Sequence, residues 1–250
     1  MRIYIVRHGE TDANKKGYAQ GRTDDPLNKN GEILAGITGC GMKDIHFDCC
    51  ISSPLIRARQ TAEIILRESC NSVPISFDNR IKEMNFGSFE GASIRDEKVV
   101  RFLKEPVIDY RFPDGESISD VMKRTQEFLK ELISKDDGKT YLVSTHGCAL
   151  RAMLNFLYEY PGDYWHGHVP YNCCVNVIEV KNGAATLIAD DLIYYDQNMT
   201  LISIHDRPMK TELGEYKYLM ECTDCDYQTY LLLEKKSAMK LRYLGSFDEK

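Results

Sequence analysis

Two apolar runs of the chain end alike, one at Val6-Arg7-His8-Gly9 and the other at Thr145-His146-Gly147. An imidazole serves as nucleophile, acid or base near neutral pH, and groups beyond the carboxyl ends of strands line the ligand crevice of open α/β sheets. If the two runs are neighbouring strands, two imidazoles face each other beside the guanidinium of Arg7. A glycine after each histidine lets the backbone turn sharply and approach a ligand. Planar guanidinium forks match the oxygens of a phosphoryl group, so this pairing points to chemistry on an anion.

The elements that must position these groups read as strands alternating with helices. Residues 2–6 and 47–51 are short apolar runs, the second closed by Ser52-Ser53-Pro54. Ala58, Ala62, Ile65 and Leu66 recur at helical spacing. A longer helix begins near Glu116-Ser117, carries Ile118, Val121, Thr125, Phe128, Leu129 and Leu132 on one face, and stops at Asp136-Asp137-Gly138. Residues 141–145 form the strand before His146, and Leu150, Met153, Leu154, Leu157 and Tyr158 mark the next helix. Asn182-Gly183 between two β-rich runs predicts a hairpin. The expected fold is therefore α/β, a three-layer sandwich with a mostly parallel sheet and helices on both faces. From about Asp196 the alternation stops and tyrosines cluster (Tyr216, Tyr218, Tyr227, Tyr230, Tyr243), which sets residues 1–195 apart from a small C-terminal extension, 196–250. Residues 227–244 fit neither a helical nor a strand period.

Composition bounds the function. The 250 residues carry 32 Lys and Arg against 38 Asp and Glu, a net charge of −6 that disfavours nucleic acid and anionic membranes. An anionic substrate then requires a local cluster of arginines. No apolar stretch is long enough to cross a bilayer, and the charged Arg7-His8 arrives too early for a secretory signal. Nine scattered cysteines fit reduced thiols and a cytoplasmic location better than a disulfide framework.

The string Arg7-His8-Gly9-Glu10-Thr11 resembles the signature of the histidine phosphatase superfamily, which includes cofactor-dependent phosphoglycerate mutases and α-ribazole phosphatases. Asn14, Gly21-Arg22-Thr23, Ser52-Ser53-Pro54-Leu55-Ile56-Arg57-Ala58, Glu83, Phe89-Glu90-Gly91, Gly115-Glu116-Ser117 and His146-Gly147 follow in the family's order across residues 1–195. The resemblance implies His8 as nucleophile, Glu83 as proton donor and His146 as the second histidine. It implies Arg7, Asn14, Gly21, Arg57 and Gly147 as substrate-binding positions, with no metal and no cofactor. Arg57 rather than Arg59 is the implied ligand, because it stands just before the alanine. Two guanidiniums beside His8 should lower its pKa and populate the attacking form. A dianionic substrate beside Glu83 should favour its protonated form for the first step.

Residues 84–115, rich in Phe86, Phe89, Phe102, Tyr110 and Phe112, read either as a helical excursion packing on itself or as a lid that selects the leaving group. Trp165-His166-Gly167-His168 offers two metal ligands without a third and is better placed as a loop near the pocket mouth. Cys222-Thr223-Asp224-Cys225 has zinc-knuckle spacing without a second pair. Mutases of this family carry an arginine after the acid; here Met84, Asn85 and Phe86 follow Glu83, and the string to Gly91 looks more like the α-ribazole phosphatase branch. The expected protein is a metal-independent phosphatase acting on a small phosphorylated metabolite through a phosphohistidine. A mutase-type phosphoryl transferase and a catalytically silent binding protein are the alternatives, and the extension is a candidate homo-oligomer contact.

Overall fold

Strand β1 (Arg2–Arg7) alternates between two cores: Ile3 and Ile5 enter one buried cluster, Tyr4 and Val6 the other, as a two-residue period requires. The computed structural model describes residues 1–195 with their side chains, apart from which it describes the backbone of five strands lying within 199–243. β1 sits inside a six-stranded sheet with β2 (Cys49–Ser52), β3 (Ile75–Phe77), β4 (Thr140–Thr145), β5 (Val175–Lys181) and β6 (Ala184–Leu192), ordered β3-β2-β4-β1-β5-β6. The first four of that order run parallel, β5 pairs antiparallel with β1, and β6 pairs antiparallel with β5.

Helices cover both faces. On the side of Ile3 and Ile5, α5 (Ile118–Lys135) contributes Phe128, Leu129 and Leu132, and α6 (Gly147–Leu154) contributes Leu150 and Met153. On the side of Tyr4 and Val6, α3 (Ile56–Glu68) contributes Ala62, Ile65 and Leu66, with α2 (Lys29–Gly41) packed beside it. Short helices α1 (Asp12–Lys16) and α4 (Glu97–Lys104) lie in the connections. α5 begins at a capping box on Ser117 and ends at Asp136, whose φ is +31°. The β5–β6 hairpin turns on Asn182 and Gly183, both at positive φ, as Asn-Gly turns do.

The helix expected to reach Tyr158 ends at Leu154 and passes into a 3-10 turn, Asn155–Leu157. The Asn155 side chain bonds the Pro161 carbonyl there and draws the chain off the helical path. Strands β7 (Met199–Ser203), β8 (Met209–Lys210), β9 (Tyr216–Cys222), β10 (Gln228–Leu233) and β11 (Leu241–Tyr243) pair antiparallel; β10 meets β11 with Leu231 opposite Tyr243. The Cys222/Cys225 pair and the suggested oligomer contact fall outside the residues described with side chains. Among the described residues, no helix is long and apolar enough to cross a membrane.

Candidate active site

β1 and β4 are parallel neighbours in a register that sets Arg7 against Thr145. The next residues, His8 and His146, therefore leave the sheet side by side, with ring centroids 5.1 Å apart and planes inclined at 57°. Both are buried. His8 Nδ1 lies 2.7 Å from the Gly9 carbonyl oxygen. A carbonyl only accepts, so Nδ1 carries the proton and the lone pair of the neutral ring is on Nε2. Burial, then Arg57, then Arg7 hold the His8 pKa well below its ordinary value of 6.5. The arginines act in the expected direction, but burial is the larger cause. His146 is likewise kept neutral, first by burial and then by Arg57. Its Nε2 lies 2.8 Å from Ser53 Oγ, and its buried Nδ1 has no protein partner.

Arg57, in the first turn of α3, is fully buried and donates to the carbonyls of Thr23 (2.6 Å) and Gly21 (2.7 Å). Burial lowers its pKa to about 10, with Glu83 the largest of the opposing charges. Arg59 turns outward and pairs with Glu63 at 2.7 Å. Arg7 donates to the Pro170 carbonyl. Arg7 Nε and Arg57 Nε are both buried without a protein partner. Two guanidinium N–H groups and one imidazole nitrogen near His8 thus remain without a protein partner, although Arg57 and His146, both fully buried, do not themselves line the cavity described below.

Asn14 is the third residue of α1, and its Oδ1 accepts from Thr11 N (3.2 Å) and Asn172 Nδ2 (3.3 Å). The amide is thereby oriented, with its nitrogen as the end available to a phosphoryl oxygen. Gly147 lines the same cavity, and a Cβ there would meet Arg7 Nε at 3.4 Å. Gly21 does not line the cavity. A Cβ on Gly21 would stand 2.2 Å from Glu90 Oε1 and 2.4 Å from the Met84 carbonyl, so it is small because chains converge there; it reaches the site through its bond to Arg57. Gly9 has a similar origin: a Cβ would meet the Gly31 carbonyl of α2 at 2.6 Å, so α2 rather than a ligand requires the glycine.

Glu83 is buried, and its Oε1 accepts from the backbone N–H of Met84 (2.8 Å) and Ala149 (3.0 Å). Its Oε2 accepts from Cys148 N (3.1 Å). The carboxyl group is thus seated on the first turn of α6. Oε1 has both lone pairs engaged, and Oε2 keeps one for a proton.

The support of Glu83 includes residues to which the sequence reading gave no role. Arg124 of α5 donates from Nη1 to the carbonyls of Arg80 and Lys82, both at 2.6 Å, and from Nη2 to that of Glu83 at 3.0 Å. Glu116 receives Arg124 Nε and Nη2 at 2.9 Å and Asn85 N at 2.8 Å. Burial alone would raise the Glu116 pKa, but the bonds and charge of Arg124, the Asn85 N–H and Arg22 hold it low. Glu90 gathers the N–H groups of Gly21 (3.0 Å), Arg22 (2.8 Å) and Phe86 (3.1 Å), joining the loop under Arg57 to the segment after Glu83. The signal for Arg124 was an arginine beside Thr125, next to the apolar stripe of α5.

Arg7, His8, Asn14, Glu83 and Gly147 open into a cavity of about 320 Å³. Its farther walls come from Phe86, Val99, Phe102, Leu103 and Phe112 of the 84–115 segment, with Trp165 and Val169 from the loop before β5. The two readings of that segment meet here, because Phe86, Phe102 and Phe112 also pack on one another edge to face. In the Trp165–His168 loop, His166 stacks on Tyr158 at 3.6 Å and His168 Nε2 lies 3.4 Å from Asp191, so the two imidazoles engage different partners.

A family model described as the histidine phosphatase superfamily (branch 1) matches residues 3–190. A protein of Escherichia coli named "Probable phosphoglycerate mutase GpmB" is 34% identical over 166 residues, covering 64% of this chain and 76% of its own. A phosphoglycerate mutase structure from Bacillus anthracis superposes with a TM-score of 0.68 at 27% identity, over 76% of this chain and 92% of its own. A mutant phosphoserine phosphatase of Entamoeba histolytica, solved with phosphoserine, gives 0.65 at 27% identity, over 76% and 96%.

Proposed function

Because this chain belongs to the histidine phosphatase superfamily, we propose that it hydrolyses a small phosphomonoester without a metal, through a phosphohistidine on His8. The observation that carries this reading is the buried His8 ring, its Nδ1 proton fixed on the Gly9 carbonyl, its Nε2 lone pair free, and the charges of Arg57 and Arg7 acting on it. In this reading residues 1–195 are the catalytic unit, 84–115 its lid, and 196–250 an extension.

His8 Nε2 attacks phosphorus in line while the bond to the leaving oxygen breaks, and charge spreads over the three remaining oxygens. Arg7 and Arg57 answer that charge with the unpartnered Nε–H groups, and Asn14 with its amide nitrogen. With Ser53 Oγ donating to His146 Nε2, the one proton of that neutral ring sits on Nδ1 and is a further donor. Glu83 gives a proton from Oε2 to the departing alkoxide, then takes one from the water that attacks phosphorus and breaks the P–N bond. Only the second step restores the enzyme, freeing the His8 ring and returning the proton to Glu83.

Met84 is fully buried and Phe86 faces the cavity, so neither offers the cation that a phosphoglycerate carboxylate would need after Glu83. That favours hydrolysis over mutase transfer. The test is phosphate release from a chromogenic ester with chelator present, for wild type and His8→Ala. Turnover that His8→Ala abolishes, with an acid-labile phosphoenzyme in the wild type, supports the reading. Turnover that survives His8→Ala overturns it, and isomerisation of a phosphoglycerate in place of phosphate release would favour the mutase.

A further inference from the structure

Among the described residues, the cation, imidazole and carboxyl group lining the cavity belong to Arg7, His8 and Glu83, all engaged with the reacting group in the mechanism above. Two polar neighbours are already committed to protein partners. Gln20 accepts from Thr11 Oγ1 at 2.7 Å and donates to Asp25 at 2.8 Å. Asn172 Nδ2 donates to the His8 carbonyl at 3.0 Å and to Asn14. The remaining wall is dominated by carbon. Phe102 stands at its centre, edge to face with Phe86 (5.7 Å), Phe112 (5.3 Å) and Trp165 (5.8 Å). α4 presents Val99, Phe102 and Leu103 to the cavity, while its cations Lys98, Arg101 and Lys104 are exposed to solvent on its other side.

A carboxylate or a polyol entering this space would lose hydration and, apart from the partly exposed Tyr18, meet little uncommitted polar side chain among the described residues, which selects against it more strongly than lost contact alone. An apolar group would exchange water for aromatic and aliphatic surface. We infer that the leaving group of the substrate is a compact apolar alcohol, aromatic or of similar hydrophobicity, and that α4 with Phe86, Phe112 and Trp165 is the surface that selects it. The assignment rests on the phosphatase reading for its chemistry, and on the cavity wall alone for its binding preference.

Two measurements keep these apart. The first compares kcat/KM for 2-phenylethyl phosphate and glycerol phosphate in the full chain; both release an alkoxide, so the ratio reports recognition rather than an activated leaving group. The expected ratio is about 10- to 100-fold in favour of the phenyl ester, the factor that burial of one ring-sized apolar group supplies. Val99→Thr, which keeps the side-chain shape and adds a hydroxyl, should reduce that ratio about threefold or more. The second measures equilibrium binding of 3-phenylpropylphosphonate against methylphosphonate to the His8→Ala protein, with the same preference expected. A wild-type ratio at or below one, with both esters turned over, overturns the inference and leaves the phosphatase reading standing. No ester turned over, with the phosphonate preference intact, keeps the apolar site and overturns the phosphatase reading. Equal affinity for the two phosphonates overturns the inference outright.

Discussion

At His8, burial, Arg57 and Arg7 lower the pKa, in that order, and the bond to Gly9 opposes them. Between its folded pKa and the ordinary 6.5, the unfolded chain binds a proton that the folded site refuses, and His146 behaves alike. Stability therefore falls as pH drops through 6.5 and is fully present above it. Urea unfolding at pH 7.5 and 5.5 should show the lower stability at 5.5, and NMR of the ring carbons should find both imidazoles neutral at pH 6; a charged His8 at that pH would refute the electrostatic account. Glu83→Gln keeps the volume but turns an NH2 group toward backbone N–H donors now bonded to Oε1 or Oε2. It should lower kcat for an alkyl ester by about 10²- to 10⁴-fold. The loss should be smaller for a nitrophenyl ester, whose leaving group needs no proton; equal losses would remove Glu83 from the proton-transfer role. The pairing of His8 with His146 is legible in the sequence because strand-end histidines are local features, whereas Arg57 is set apart from Arg59 only by the family resemblance. At Gly21 the close approach of Glu90 and the Met84 carbonyl already accounts for the glycine, and such a position looks the same in sequence as one beside a ligand.

The segment bearing Glu83 has little regular structure of its own, so helix α5 holds it. Arg124, with 16% of its side chain exposed, bonds three successive-region carbonyls (Arg80, Lys82, Glu83) and is itself held by Glu116. Arg124→Ala should lower kcat about 10- to 100-fold with a smaller effect on KM, and destabilise the fold by about 2–4 kcal/mol through the unpaired carbonyls and Glu116. Arg124→Lys retains charge without the planar fork and should recover little of either. Full rescue by lysine, or a change confined to stability, would reduce Arg124 to a structural residue. Such bonds are invisible in a linear reading because they span 41 to 44 positions. α2 escapes it for a different reason. Its 13 residues include Gly31, Gly36, Gly39 and Gly41, a composition that argues against helix. Packing overrides the propensity: a Cβ on Gly31 would meet the Glu10 carbonyl at 2.1 Å, and one on Gly39 the Cβ of Glu68 at 2.8 Å. β3 is missed because only Ile75 of its three residues is drawn in from the surface, leaving no alternation to read.

For the molecule as a whole, the alternating pattern of strands and helices ends near residue 192, yet the packing continues to Tyr195. A Cβ on Gly41 would meet the Tyr194 ring at 2.1 Å, so that ring packs directly on the backbone of α2. Ile193 and Tyr194 pack against the cores on the two sides of the sheet. The Tyr195 hydroxyl donates to the Asn172 carbonyl, and the Asn172 side chain in turn bonds the His8 carbonyl and Asn14. The last residues before the extension thus buttress the phosphoryl end of the cavity. A chain ending at Tyr195 should fold and turn over an ester at near the full-length rate. One ending at Leu192 loses three partly buried side chains, roughly 3–5 kcal/mol of apolar burial. Its Tm should fall by about 10 °C, and KM should rise as Asn172 and Asn14 lose their support. Calorimetry and phosphate release on the two truncations separate these outcomes. If the chain ending at Tyr195 is itself unfolded or inactive, residues 196–250 belong to the catalytic unit and the boundary proposed for it is wrong.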